Sequence, residues 1–101
     1  MPEDHHHGTD RSGDNAGSDK PWMVYILECS DGSFYTGITN DIERRQEQHN
    51  EGTASRYTRS RRPVILRYQE FCGSRSQALI RECSLRLLSR KEKEELVNRG
   101  R

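Results

Sequence analysis

Tyr25, Tyr35, Arg45, His49 and Glu82 place in one chain of 101 residues the side-chain types that cutting a phosphodiester demands. Hydrolysis needs an oriented water, a group that takes its proton, and positive charge against the negative charge that develops on the phosphoryl and leaving oxygens. The phenols could orient or deprotonate the water, provided a nearby cation lowers a hydroxyl that ordinarily titrates at about pH 10. Arg45 could grip a phosphate with its planar fork. His49, four residues on and so one turn along the same helical face, could donate to that phosphate or move a proton. Glu82 could hold a hard divalent ion that keeps most of its waters, as Mg²⁺ does. Each residue taken singly has a plainer reading, since strand tyrosines pack and helix charges are mostly solvated.

Two strands and two helices must position these groups. Trp22 to Cys29 is rich in β-formers, Asp31-Gly32 marks a turn, and Phe34 to Thr39 makes a second strand, together a β-hairpin. Tyr25 and Tyr35 then sit on neighbouring antiparallel strands near the turn and can project toward the helix that follows. Gly37 is expected to let the backbone approach that helix or the substrate. Asn40 with Glu43 three residues later reads as a capping-box-like start of a helix reaching about Asn50, with Gly52 placed to end it. Arg44 competes with Arg45 but points about 100° away. Pro63 precedes a third strand, Val64 to Tyr68. Ser74 or Ser76 opens a second helix, in which Leu79, Ile80, Cys83 and Leu87 form the expected core-facing stripe and Glu82 lies at its margin near Ala78 and Leu85. Ser89 and Glu92 cap a third helix to about Asn98. The expected fold is α+β, a small three-stranded antiparallel sheet flanked by about three helices.

Met23-Val24-Tyr25, the Ser30-Asp31-Gly32-Ser33 turn, Tyr35-Thr36-Gly37-Ile38-Thr39, and the helix with Arg44-Arg45 and His49 together resemble the GIY-YIG nucleases. The resemblance runs from about Trp22 to Leu96 and is nearest to the small stand-alone, single-domain bacterial branch. Ser55-Arg56-Tyr57-Thr58-Arg59, within Gly52 to Pro63, looks like the basic loop of that branch. The first motif reads Met-Val-Tyr where the family name has Gly-Ile-Tyr, and the second reads Tyr-Thr-Gly; both keep the tyrosine. The resemblance implies a divalent-metal-dependent endonuclease that hydrolyses DNA by a one-metal mechanism, in a setting such as DNA repair. It implies Mg²⁺ or Mn²⁺ on Glu82, Arg45 as catalytic arginine, and His49 as the frequent histidine one turn later. Tyr35 is expected as general base or water-orienting group and Tyr25 as its hydrogen-bonding partner. The rival class is a nucleic-acid-binding or protein-interaction module on the same fold, which would have no need of Tyr35, Arg45 and Glu82 together.

Charge is divided along the chain. Residues 1–20 hold five acidic side chains, Glu3, Asp4, Asp10, Asp14 and Asp19, against Arg11 and Lys20, a net −3, so of the overall +1 the remainder carries +4. That acidic arm, rich in Gly, Asp, Ser and His, is expected to be disordered, with residues 21–101 as the nuclease-like domain. His5, His6 and His7 read as a solvated tail rather than a metal site. Arg44, Arg45, Arg56, Arg59, Arg61, Arg62 and Arg67 cluster against only Glu47 and Glu51 in the same stretch. Arginine suits phosphate recognition, so Arg44, Arg56, Arg59, Arg61 and Arg62 are expected to track DNA, branched or single-stranded forms included, with Tyr57 stacking on a base or packing its own loop. With no accessory DNA-binding segment in view, affinity should be weak and sequence preference slight, which leaves room for a separate targeting partner. Cys29, Cys72 and Cys83 form no Cys-x-x-Cys pair and read as small buried residues of a reducing cytoplasm. The sequence has neither a long apolar run nor a signal core.

Overall fold

The computed structural model describes residues 20–99, so the arm expected over residues 1–20 lies outside the described residues except for Lys20. Three strands, β1 (Trp22–Glu28), β2 (Phe34–Thr39) and β3 (Ile65–Gly73), form one antiparallel sheet in the order β2-β1-β3. Four helices accompany it: α1 (Ile42–Glu51), α2 (Arg56–Arg59), α3 (Arg75–Arg86) and α4 (Arg90–Arg99). The α+β class is as expected, with one helix more.

The additional helix is α2, a single turn. It forms where Ser55 sits in extended backbone and its Oγ accepts the Thr58 N–H at 3.1 Å, an N-cap that satisfies an otherwise orphaned donor. β3 runs on to Gly73, past the expected end at Tyr68. It is an outer strand, where polar residues such as Gln69 and Glu70 can alternate with apolar ones and still pair with β1.

Alternation along the strands separates two cores. Val24, Ile26 and Ile38 point to one face and pack with Ala78 and Leu85 of α3 and Val97 of α4. Tyr25, Leu27 and Tyr35 point to the other, joined by Val64 and flanked by Ile42 of α1 and Tyr57 of α2. Asn50 fastens α1 to the start of β3, its amide donating to the Val64 carbonyl at 3.2 Å and its oxygen accepting the Val64 N–H at 2.8 Å.

Two local expectations are corrected. The N-cap of α1 is Asp41, whose carboxylate accepts the Arg44 N–H, and not Asn40, which is buried instead. Gly52 does end α1, in the left-handed conformation at φ 86°. On α3 the buried stripe is Ala78, Glu82 and Leu85, while Ile80 and Leu87 are 69% and 83% exposed and Cys83 is exposed. Ala78 is small enough to bring the helix onto the sheet, and Leu87 is already the C-cap, outside the helical wheel on which it was placed. Glu82 therefore lies in the middle of the packed face, not at its edge.

Candidate active site

His49 is the hub of the tyrosine face. Its Nε2 lies 2.9 Å from the Tyr25 hydroxyl and its Nδ1 2.8 Å from Thr58 Oγ1, which is in turn 3.1 Å from Ser55 Oγ. The Tyr35 ring meets the imidazole edge to face, with centroids 5.0 Å apart at 63°, and the Tyr25 ring does so at 5.9 Å and 69°. The hairpin and α1 produce this convergence directly. Leu27 pairs with Tyr35 and Tyr25 with Gly37 across the ladder, so both phenols leave the same face, onto which α1 folds back. Gly37 leaves room for the Tyr25 phenol, into which a Cβ at this position would run.

Arg45 stands one turn before His49 on α1, only 1% exposed, and its Nη1 donates to Gln48 Oε1 at 3.0 Å. Glu82 is also 1% exposed, with the Arg86 guanidinium 3.6 Å from its carboxylate one turn along α3. Arginine and glutamate are almost never enclosed to this degree by packing alone, because taking a charge out of water costs several kcal/mol (on the order of that per ion). Its neighbour Arg44 is exposed, on a different side of α1 from the buried Arg45. Glu82 shares the buried stripe of α3 with Ala78 and Leu85, which pack on the Val24, Ile26 and Ile38 face of the sheet, whereas Tyr25 and Tyr35 belong to the other face.

No group of three or more His, Cys, Asp or Glu side chains gathers among the described residues. A cation here can count on few protein ligands. That donor set fits an ion such as Mg²⁺, which retains waters and takes one carboxylate, and does not fit a zinc cage. The three cysteines are free, and burial pushes the Cys29 thiol up, against its hydrogen bond to Ser33, leaving it a poor nucleophile.

The basic loop divides in two. Arg56 and Arg59 on α2 are exposed, as Arg44 is, and available to a polyanion. Arg61 instead donates to Asp31 at 3.0 Å and to the Tyr57 carbonyl at 2.9 Å, with its guanidinium 3.9 Å over the Tyr57 ring. Arg62 donates to the Arg59 carbonyl at 2.8 Å, bracing the loop against the end of α1. Tyr57 is stacked on Tyr35, centroids 6.0 Å apart and planes 24° apart, so its ring packs the loop and is not presented to a base. Arg61 and Tyr57 thus pack the loop onto Asp31 and Tyr35, and Arg62, itself exposed, braces it through the Arg59 carbonyl. Arg67 likewise contacts Glu28 at 3.1 Å.

Sequence reasoning placed Ser55 and Thr58 in the basic loop, Thr58 as a backbone-tracking residue and neither as a partner of His49, and passed over Arg86. The Ser55-x-x-Thr58 spacing is a one-turn cap, and Glu82-x-x-x-Arg86 is an i,i+4 pair, so both signals were there to read.

The family model for the GIY-YIG catalytic domain matches residues 21–95, and the chain belongs to that family. Within it the chain is similar to the UPF0213 proteins. One from Halobacterium salinarum is 51% identical over 73 residues, covering 72% of this chain and 95% of its own. Another from Bacillus cereus is 49% identical over 76 residues, covering 75% and 79%. A protein of E. faecalis solved by NMR in solution is 42% identical, with a TM-score of 0.54 over 78% of this chain and 84% of that one. Among the described residues no helix is long and apolar enough to cross a membrane.

Proposed function

We propose that the chain is a divalent-metal-dependent endonuclease that hydrolyses DNA phosphodiester bonds by a one-metal mechanism. The observation that supports this best is the enclosure of Tyr25, Tyr35 and His49 in mutual contact with Arg45 a turn away, all at most 1% exposed. A binding module gains nothing from burying such groups, whereas pre-organised polar groups in a water-poor site are what stabilises a charged transition state. Because these four side chains are enclosed, access of a phosphate to them requires local opening, and that opening would be part of substrate recognition.

In this reading Arg45 stabilises the charge that grows on the phosphoryl oxygens. Tyr35 orients the attacking water, and Tyr25, beside it on the next strand, links that position to His49, which has a nitrogen in place to accept a proton. Glu82 would hold the Mg²⁺ or Mn²⁺, which when bound adds Lewis-acid charge at the reacting phosphate. Arg44, Arg56 and Arg59 contact the backbone on either side, without reading sequence.

The experiment is plasmid nicking. Purified protein incubated with supercoiled DNA and Mg²⁺ or Mn²⁺ is expected to nick it, while Glu82→Ala and Arg45→Ala lose about 10²-fold or more. Binding without nicking, or equal nicking by all three proteins, would overturn the catalytic reading.

A further inference from the structure

We propose that Thr58 is a positioning residue that fixes His49 as the neutral tautomer protonated on Nδ1, so that Nε2 accepts the proton of Tyr25. The functional consequence rests on the nuclease reading above; the tautomer itself rests on geometry alone.

Four buried side chains stand in line, Ser55, Thr58, His49 and Tyr25, with successive contacts of 3.1, 2.8 and 2.9 Å. Thr58 Oγ1 has one proton to give and two lone pairs to receive. Its neighbours besides His49 are Ser55 Oγ and the Ser55 carbonyl, 3.4 Å away, and a carbonyl can only accept. With the Thr58 proton directed to that carbonyl, Oγ1 accepts from both His49 Nδ1–H and the Ser55 hydroxyl, and Ser55 Oγ accepts the Thr58 N–H. Nε2 is then bare and receives Tyr25 O–H. In this direction the protons of all four side chains are consumed inside the chain. The opposite tautomer makes Tyr25 the acceptor and sends its proton elsewhere.

The one-turn helix α2 places Thr58 for this. Ser55 is its N-cap, and Thr58, at the third helical position, returns its N–H to the Ser55 side chain, so the hydroxyl facing His49 is held by backbone as well as by packing. Low dielectric around buried hydroxyls strengthens each bond and its neighbours. When the Tyr25 O–H bond breaks, the proton forms N–H on His49 Nε2, and Thr58 still accepts from Nδ1–H of the resulting imidazolium. Titratable or charged groups that face His49 among the described residues include Tyr25 from β1, Tyr35 from β2 and, a turn away on α1, Arg45.

The test is long-range ¹H–¹⁵N NMR of His49 in the full chain at neutral pH. The wild type is expected to show a protonated Nδ1 and a bare Nε2. Thr58→Val, nearly isosteric, should lose that preference and lower nicking about tenfold, with the pH–rate profile displaced, whereas Thr58→Ser keeps the tautomer and stays within about threefold. A role in packing alone would favour Val at least as much as Ser. A wild-type Nε2–H tautomer, or identical spectra for Thr58→Val and wild type, overturns the proposal. Because the spectra need no substrate, a chain with no nuclease activity would refute the catalytic reading and still decide this one.

Discussion

Gly37 lies opposite Tyr25 in the β1–β2 ladder, and a Cβ built on it would stand 2.5 Å from the Tyr25 hydroxyl oxygen and 2.7 Å from the ring carbon that bears it. The backbone of Gly37 is not in the left-handed region. What the position requires is therefore space and not a special dihedral, and the space is used by the phenol on its way to His49.

Gly37→Ala is accordingly expected to push the phenol off His49 Nε2 while leaving the hairpin paired. Overpacking should cost about 1–3 kcal/mol of stability, measurable by urea unfolding, and nicking should fall at least about tenfold. If the variant nicks like wild type, the Tyr25–His49 contact is not needed for the reaction.

Salt dependence separates the two groups of loop arginines. Arg44→Ala, Arg56→Ala and Arg59→Ala should each weaken DNA binding and flatten the slope of log affinity against log salt by about 0.9. Arg61→Ala and Arg62→Ala should mainly lower stability, because these side chains hold Asp31, Tyr57 and the Arg59 carbonyl. Fluorescence anisotropy at several salt concentrations, beside thermal unfolding, checks both halves. Equal slope changes at all five positions would erase the division.

Local pattern made the hairpin, α1 and its basic pair legible, since Tyr25, Tyr35, Arg45 and His49 lie within continuous sequence whose turn and helix signals fix their faces. The Ser89–Glu92 cap was equally readable, and its reciprocal bonds are present at 2.8 and 3.1 Å. The stripe on α3 was not, because several apolar residues compete for one face and only tertiary packing selects Ala78 and Leu85 over Ile80 and Leu87. The choice of Glu82 rests on the family resemblance, and its full burial could not be foreseen from a wheel that placed it at the rim. The arginines of the loop look alike in sequence. Their division depends on Asp31, 30 positions away from Arg61, and no local rule reaches that far.

A second charge cluster sets acid sensitivity. Tyr68 and Glu70 on β3 meet Arg81 on α3, with Glu70 accepting from the Tyr68 hydroxyl at 2.6 Å and from the Arg81 guanidinium at 2.9 Å. Burial pushes the Glu70 carboxyl up, but those two hydrogen bonds outweigh it and hold it below the usual glutamate range. A folded-state value below the unfolded one means stabilisation that is present above the unfolded pKa and lost as pH falls through the folded one. Glu70→Gln should thus be less stable than wild type at neutral pH, by about 1 kcal/mol given the partial exposure of the group, with the gap closing as pH falls below about 4.3. Thermal unfolding from pH 7 to pH 3 measures it, and a gap that widens toward acid would contradict the assignment.

If Glu82 holds the cation as proposed, Arg86 competes with it for the carboxylate. Its guanidinium lies 3.6 Å away and half-buried, too long for a strong hydrogen bond but close enough for a unit charge to matter. Removing that charge as Arg86→Gln should leave the carboxylate more attractive to a dication, by about 1 kcal/mol after screening, or roughly fivefold in affinity. Less metal should then be needed to reach the maximal nicking rate. Mn²⁺ titration followed by paramagnetic broadening of signals from α3 gives the affinity without reference to catalysis, and metal-dependence of nicking gives the rate. Broadening centred away from Glu82 would remove it as the metal ligand. Weaker Mn²⁺ binding by Arg86→Gln would show instead that the arginine orients the carboxylate rather than neutralising it.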